Sequence, residues 1–191
     1  NGLIDPSTED WTQGLIDTLV AEVQDACDWW IQHAPGGNLS FVYEIPAPIP
    51  SPYEPINNYA FSYARLDTLW TDGIFDTLGY HTGDAFYKSR AYLNDLRDTL
   101  ESDWAVAVIV ANSRNDTDGR FAVPYNYYGF SYFGGPYLVI TTDVGSDGTA
   151  NVDAVTSHEL GHSFYALDEY IGGSLPCHTE AGYEQVANQN K

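Results

Sequence analysis

The start of the chain shows one clear hydrophobic period. Apolar residues recur about every fourth position over residues 8–33, which predicts a long amphipathic helix. Ser7 and Asp10 form a capping pattern at its beginning, and the proline and two glycines at 35–37 end it. The pattern therefore predicts a first helix whose buried stripe consists of Trp11, Leu15, Leu19, Val23, Cys27 and Trp30.

Beyond this helix the pattern changes several times. Residues 39–45, LSFVYEI, predict a strand, and the proline-rich stretch 46–55 predicts an irregular loop. The helical spacing of apolar residues is weak over 64–78 and clear over 85–101. The run WAVAVIVA at 104–111 predicts a buried strand, and it is far too short to span a membrane.

The second half of the chain is richer in aromatic and turn-forming residues. Residues 115–120, NDTDGR, predict a turn. The aromatic stretch 121–141 predicts strands broken by glycine, and the part that begins at 137 and ends by 142 predicts a buried strand. The polar residues that follow predict a loop, and a helix is expected to begin near Asn151 or Asp153.

The composition is that of one folded domain. The 191 residues are 43% hydrophobic and 15% aromatic, which supports a packed core. Helices interspersed with strands predict a mixed α/β (α+β) fold over residues 1–191. The formal net charge of −20 repels phosphate, which makes nucleic acid and anionic membranes poor partners.

Residues 158–162, HELGH, form the strongest chemical motif. On a helix His158 and His162 lie one turn apart on one face, where both imidazoles can bind one zinc ion at about 2.0–2.1 Å. Glu159 lies about 100° further round the helix, placed to contact a water molecule rather than the metal. The motif therefore predicts a zinc site with two histidine ligands and a glutamate base.

A catalytic zinc site needs a third protein ligand and one open position. Asp168 reaches the site only if the chain turns back after Phe164 or Tyr165, and Glu169 replaces it if the turn differs by one residue. A second arrangement would take the ligand from further along the chain, where the candidates are His178, Glu180 and Glu184. We expect Asp168 first, then Glu169, then the later residues.

The stretch HELGHSFYALDEY, with GGPYLVITTDVG upstream of it, resembles the zinc-helix region of metzincin-type zinc metallopeptidases, the bacterial IgA-peptidase-like group in particular. The resemblance covers about residues 120–170. It implies that His158, His162 and Asp168 are the zinc ligands and that Glu159 is the general base.

The resemblance also implies a zincin/metzincin-like catalytic domain, in which a twisted mixed sheet is backed by helices. An edge strand of that sheet pairs with the extended substrate, and the aromatic stretch 121–136 is the candidate here. Two features depart from the family pattern. Metzincins place a glycine where this chain has Tyr165, and they place a methionine turn beneath the zinc, whereas this chain contains no methionine.

The function that the resemblance implies is a secreted zinc-dependent endopeptidase with a protein or peptide substrate. Zinc would acidify a water molecule and polarise the scissile carbonyl, while Glu159 carries the proton to the leaving amine. Tyr165 and Tyr170 are candidate donors to the oxyanion. The alternative is a secreted aromatic-rich binding or assembly module that retains the zinc site, with YNYYGFSYFGG (125–135) as its contact surface.

The ends of the chain predict a trimmed piece of a longer protein. The chain begins at Asn1 and has no methionine, so we expect that a leader has been removed. The missing methionine turn and the short stretch between Asp168 and Lys191 predict that a C-terminal portion or domain is also absent. The two cysteines, Cys27 and Cys177, are either free thiols or, in a secreted chain, one disulfide.

Two acidic loops make calcium a candidate second ion. Their side chains offer hard oxygen ligands, but neither loop has the spacing of an EF-hand, and turn formation is the favoured explanation. Asp143 or Asp153 is also a candidate to orient a zinc-binding imidazole. The residues of the two loops are Asp116, Asp118, Asp143, Asp147, Asn151 and Asp153.

Overall fold

A mixed sheet with helices on both faces forms the centre of the computed structural model, as expected for a mixed α+β protein. The structure describes residues 10–34, 36–51, 68–114, 116, 118–121, 127–168, 176–181 and 186–187. The helices are α1 (Gln13–His33), α2 (Thr68–Thr77), α3 (Ala85–Leu100) and α4 (Val152–Ser163). The strands are β1 (Ala107–Ala111), β2 (Gly129–Ser131), β3 (Tyr137–Thr141), β4 (Glu180–Ala181) and β5 (Val186–Ala187).

The central strand of the three-stranded sheet is β3. It pairs in parallel with β1, where Ile109 lies opposite Val139, and antiparallel with β2, where Phe130 lies opposite Val139. All of β3 is buried because helices cover both faces of the sheet. The prediction of a buried strand from residue 104 onward was wrong in two respects. β1 begins at Ala107, and most of it is only half-buried because it lies at an edge of the described sheet.

Two apolar clusters hold the helices against the sheet. On one face Leu138 and Ile140 of β3 pack with α1 and α4, and on the other face Tyr137 and Val139 pack with α2 and α3. This alternation follows from the strand period of two residues. Burial of each large apolar side chain contributes about 1.5–3 kcal/mol. The first cluster therefore fixes α4, the helix of the zinc motif, on the sheet.

The predicted start of α1 at residue 8 was wrong. The helix begins at Gln13, because the hydroxyl of Thr12 accepts a hydrogen bond from the Leu15 N–H at 3.2 Å and caps the first turn. Trp11 precedes the helix but still packs against the apolar cluster, and Ser7 lies outside the described residues. The predicted end was right, since the helix stops at His33.

The predicted strand at 39–45 is absent, and residues 38–51 form no helix or strand. Val42 is 60% exposed and Ile45 is 54% exposed, so much of this apolar stretch faces solvent. A strand needs a neighbour to take up its backbone N–H and C=O groups, and no strand in the described part of the chain pairs with this segment. The predicted loop at 46–55 is irregular up to 51, and its remainder lies outside the described residues.

The other predicted elements agree more closely with the structure. α3 matches the predicted helix 85–101, and its first turn is capped by the Asp84 carboxylate, which accepts from the Tyr87 N–H at 3.0 Å. α2 lies within the predicted range 64–78, of which 64–67 are outside the described residues. The buried strand predicted from 137 corresponds to β3.

The region before α4 is more ordered than the predicted polar loop. A 3-10 helix at Gly145–Asn151 leads into α4, whose first residue Val152 lies within the predicted start. The described residues of the predicted turn at 115–120 form no helix or strand, as expected. In the aromatic stretch, residues 122–126 lie outside the described part.

Two remaining features are the apolar length of the helices and the state of the cysteines in the described residues. None of their helices is long and apolar enough to cross a membrane. Cys27 is buried and Cys177 is exposed, and both are free thiols, so the disulfide alternative does not apply.

Candidate metal centre

The helix that carries the histidines is held closely against α1. The indole N–H of Trp30 donates to the carbonyl of Ser157 at 3.0 Å. The same indole lies 3.2 Å from the position that a Cβ would occupy on Gly161, so a larger residue would push the two helices apart. Because α4 also packs on β3, the backbone that carries His158 and His162 is positioned from two sides.

Three side chains converge at the end of α4. The Nε2 atoms of His158 and His162 lie 3.2 Å apart. The Oδ1 atom of Asp168 is 3.1 Å from the first and 3.4 Å from the second. Ligands placed about 2.0–2.1 Å from one tetrahedral ion lie roughly 3.3 Å from each other, which is close to all three distances. Among the described residues this is the one group of three His, Cys, Asp or Glu side chains that gathers closely enough to hold a metal ion.

Asp168 reaches the histidines because the chain reverses directly after α4. The N–H of Tyr165 donates to the carbonyl of His162 at 2.9 Å, and the N–H of Ala166 donates to the carbonyl of Gly161 at 3.0 Å. This pair of bonds is the Schellman arrangement, and it requires a left-handed residue. Tyr165 has φ +64°, so it adopts the conformation that glycine usually supplies. The reversal predicted after Phe164 or Tyr165 is therefore present.

The reversal also orients one of the histidines. The Nδ1 atom of His162 lies 2.8 Å from the carbonyl oxygen of Ala166, so Nδ1 carries the proton and donates it. Nε2 then offers its lone pair towards His158 and Asp168, as a metal ligand must. Burial and the neighbouring His162 lower the pKa of His158, against the opposing charge of Asp168. The lowered pKa favours the neutral imidazole that binds metal.

Among the acids at the site, Glu159 has the pKa furthest from its usual value. Its side chain is 8% exposed. Burial, followed by the charge of Asp168, raises its pKa to about 8, although a hydrogen bond from the Ser131 N–H opposes the shift. A cation held by the adjacent ligands would favour the charged form instead. The carboxylate is therefore held beside the candidate metal ligands, in an environment suited to taking up and releasing a proton.

The turn that connects β2 to β3 forms the rim of this site. The hydroxyls of Ser131 and Ser163 lie 3.1 Å apart. Further along, the N–H of Gly134 donates to the carbonyl of His162 at 2.9 Å. Residues 131–134 therefore run beside the last turns of α4, next to Glu159 and the ligands. β2, which lies within the aromatic stretch 121–136, is an edge strand of the described sheet.

Tyr165 lies on this rim with its ring against the turn. Its ring centroid is 5.3 Å from that of Phe133 in an edge-to-face arrangement. A Cβ added to Gly134 would lie within 2.6 Å of three atoms at the tip of the Tyr165 side chain. The other predicted oxyanion donor, Tyr170, lies outside the described residues.

The competing ligands are separated from the site or not described. His178 and Glu180 are exposed and are not members of the group formed with His158 and His162. Glu169 and Glu184 lie outside the described residues. The structure therefore brings Asp168 to the histidines, the first of the predicted alternatives.

Three acidic side chains of the two loops accept hydrogen bonds from the backbone. The carboxylate of Asp116 accepts from the Asp118 N–H, and that of Asp118 accepts from the Arg120 N–H, both at 3.1 Å. The carboxylate of Asp153 accepts from the Ala154 N–H at the start of α4. These are turn and helix-start bonds, and among the described residues no such acidic group gathers around a calcium position. The side-chain amide of Asn151 donates to the carbonyl of Val144. The side chain of Asp147 is not among the described side chains.

Sequence reasoning missed three groups that complete the site. These are the N–H of Ser131, the N–H of Gly134 and the carbonyl of Ala166. All three are backbone groups, which residue types do not reveal, although the glycine pair at 134–135 is a signal for a close backbone approach.

No protein-family model, curated protein or solved structure matches the chain, so the proposal below is based on the geometry of this site alone.

Proposed function

We propose that the protein is a secreted zinc-dependent endopeptidase of metzincin type. His158, His162 and Asp168 hold the ion, and Glu159 is the general base. The observation that carries the proposal is the convergence of the three ligand atoms at 3.1, 3.2 and 3.4 Å from one another. The buried Glu159 carboxylate lies directly next to one of these ligands in the chain.

The donor set suits zinc better than calcium or magnesium. Two imidazoles and one carboxylate are borderline ligands of the kind that zinc binds, whereas calcium and magnesium prefer oxygen ligands alone. Three protein ligands also leave a tetrahedral ion one open position, as in catalytic rather than structural zinc sites. The set of His158, His162 and Asp168 therefore favours a hydrolytic centre over a purely structural one.

Peptide hydrolysis follows from what each residue offers. Zinc, when bound, supplies Lewis acidity towards water and the scissile carbonyl. Glu159 takes the proton of the attacking water and delivers it to the leaving amine. The Ser131 N–H holds the Glu159 carboxylate, and the Ala166 carbonyl keeps the His162 ring in place. β2, half-buried at an edge of the described sheet, would offer main-chain groups to an extended peptide.

The test is hydrolysis of an unfolded protein by zinc-loaded wild type and by Glu159→Gln. The substitution keeps the size of the side chain, so zinc content should be unchanged while the rate falls by about 100-fold or more. A chelator should abolish wild-type cleavage, and added zinc should restore it. Glu101→Gln, on an exposed residue after α3, is the matched control and should retain full activity.

Two outcomes would contradict the proposal. Full activity of a zinc-loaded Glu159→Gln protein would remove Glu159 from the mechanism. Absence of cleavage by a zinc-loaded wild type would favour the binding or assembly module instead, with zinc in a site that does no chemistry.

A further inference from the structure

Tyr165 has a left-handed backbone conformation, which is strained for any residue other than glycine. A non-glycine residue in the left-handed region costs about 1–2 kcal/mol, and glycine there would avoid the cost. Such strain persists only where the surroundings enforce it, and it is concentrated at functional sites. Tyr165 differs from glycine by its aromatic ring. The contacts of that ring therefore indicate why a tyrosine is present.

The ring of Tyr165 and the ring of Phe133 form one exposed aromatic surface. The centroids are 5.3 Å apart at an interplanar angle of 83°. Phe133 is 52% exposed and Tyr165 is 39% exposed. Gly134, next to Phe133 in the chain, has no side chain, and this lets the tip of Tyr165 lie against its backbone. We call Phe133 and Tyr165 together the aromatic wall.

The aromatic wall adjoins the metal ligands through the chain and through hydrogen bonds. Tyr165 lies between His162 and Asp168 in the sequence, and its own N–H bonds to the His162 carbonyl at 2.9 Å. Phe133 is the neighbour of Gly134, whose N–H bonds to the same His162 carbonyl at 2.9 Å. One carbonyl therefore anchors both halves of the wall beside a zinc ligand.

We propose that the aromatic wall binds a bulky apolar side chain of the peptide, next to the bond that is cut. This inference rests on the proposed function and deepens it by naming the substrate class. An edge-to-face pair leaves ring surface on which a third apolar group can pack. Phe133 has no polar side-chain group, and both rings are exposed in part, so the wall offers mainly apolar contact.

Peptide binding tests the inference without requiring hydrolysis. The protein is the zinc-loaded Glu159→Gln variant, and the probes are blocked hexa-alanine and six versions of it with one phenylalanine at each position in turn. Calorimetry gives the dissociation constant of each. One placement, or two adjacent ones, should bind about 10-fold or more tightly than hexa-alanine, as expected for partial burial of a phenylalanine side chain.

Variants of the zinc-loaded Glu159→Gln protein show which residues cause the preference for phenylalanine. Phe133→Ala and Tyr165→Gly should each reduce the gain in affinity over hexa-alanine to about threefold or less, since each removes half of the aromatic wall. Tyr165→Phe keeps the ring and should keep the gain. Trp104→Ala removes another exposed aromatic, 44% exposed and placed before β1, and should also keep it. Zinc content and thermal unfolding of each variant show that the site is intact, and Tyr165→Gly also relieves strain rather than adding it.

Three outcomes would overturn the inference. These are equal binding of all seven peptides, a preference that survives both Phe133→Ala and Tyr165→Gly, or a preference lost in Tyr165→Phe. The last would assign the role to the hydroxyl, as for an oxyanion donor. The proposed function is judged separately, by whether zinc-loaded wild type cleaves the tightest-binding peptide. Cleavage without an apolar preference would refute the wall alone, and a preference without cleavage would refute the peptidase alone.

Discussion

The last turns of α3 and α4 end in the same backbone conformation. Glu101 after α3 has φ +52°, and Tyr165 after α4 has φ +64°. In each case the next N–H donates to a carbonyl five residues earlier, from Ser102 to Arg97 and from Ala166 to Gly161, both at 3.0 Å. Both ends therefore close with a non-glycine residue in the left-handed region.

The surroundings of the two ends differ. Glu101 is exposed, and the chain continues from it towards β1. Tyr165 instead lies against Gly134 and Phe133, and the carbonyl that follows it holds the His162 ring. The same local device is thus only a helix stop in α3, whereas in α4 it brings Asp168 to the histidines. Tertiary contacts, and not the turn itself, make the difference.

The largest expected difference between the two ends is in zinc affinity. Asp168→Ala removes one of the three proposed ligands and should weaken zinc binding by at least about 100-fold, more than the loss of a group that merely orients a ligand. Asp103→Ala, two residues after Glu101 at the end of α3, should leave the zinc affinity unchanged. Competition with a chromogenic chelator measures both. Retention of zinc by Asp168→Ala, with loss in Glu169→Ala, would shift the ligand by one residue.

Zinc should also protect the end of α4 selectively. A ligand at about 100 times its dissociation constant stabilises the folded state by about 2.7 kcal/mol. Local opening at Ala166 breaks the site, so zinc should slow hydrogen exchange of that amide by about 100-fold. Local opening at Ser102 does not break it, and its exchange should not change. Equal slowing at the two amides, or none at Ala166, would contradict a site built on this reversal.

Gly134→Ala should destabilise the protein more than Gly79→Ala. Both glycines have positive φ, so each substitution adds about 1–2 kcal/mol of backbone strain. Only at Gly134 does the new Cβ meet the Tyr165 ring, whereas nothing lies within 4 Å at Gly79. Displacement of the ring should add about 1 kcal/mol to the cost, which denaturant unfolding can resolve. Equal losses in the two variants would show that the ring is not packed on the turn.

The smallest effect is expected from placing glycine at each helix end. Glu101→Gly relieves strain and should raise the free energy of unfolding by up to about 1 kcal/mol. Tyr165→Gly gains the same relief but loses the packing of a ring that is 39% exposed, so its stability should be lower than that of Glu101→Gly by about 1 kcal/mol. Chemical denaturation of the pair gives this difference directly. An equal gain in both would mean that the aromatic contact contributes nothing to folding.

Patterns set by neighbouring residues were predictable. The bounds of α3 follow from helical spacing and from the Asp84 cap, which involve residues only a few positions apart. The strand predicted at 39–45 was wrong because a strand depends on a partner elsewhere in the chain. The start of α1 was misplaced because two capping patterns compete, and the Thr12 hydroxyl is the one that bonds the first turn.

For the site, the sequence alone determined the pair His158 and His162 and the adjacent Glu159, because a helix places residues four apart on one face whatever surrounds it. It also limited the third ligand to a few acids and one histidine. Only the tertiary structure shows which of the described candidates lies near the histidines: a left-handed Tyr165 brings Asp168 to within 3.1 and 3.4 Å of them. The backbone bonds of Ser131 and Gly134 complete the arrangement, and they form because packing on β3 brings two distant segments together.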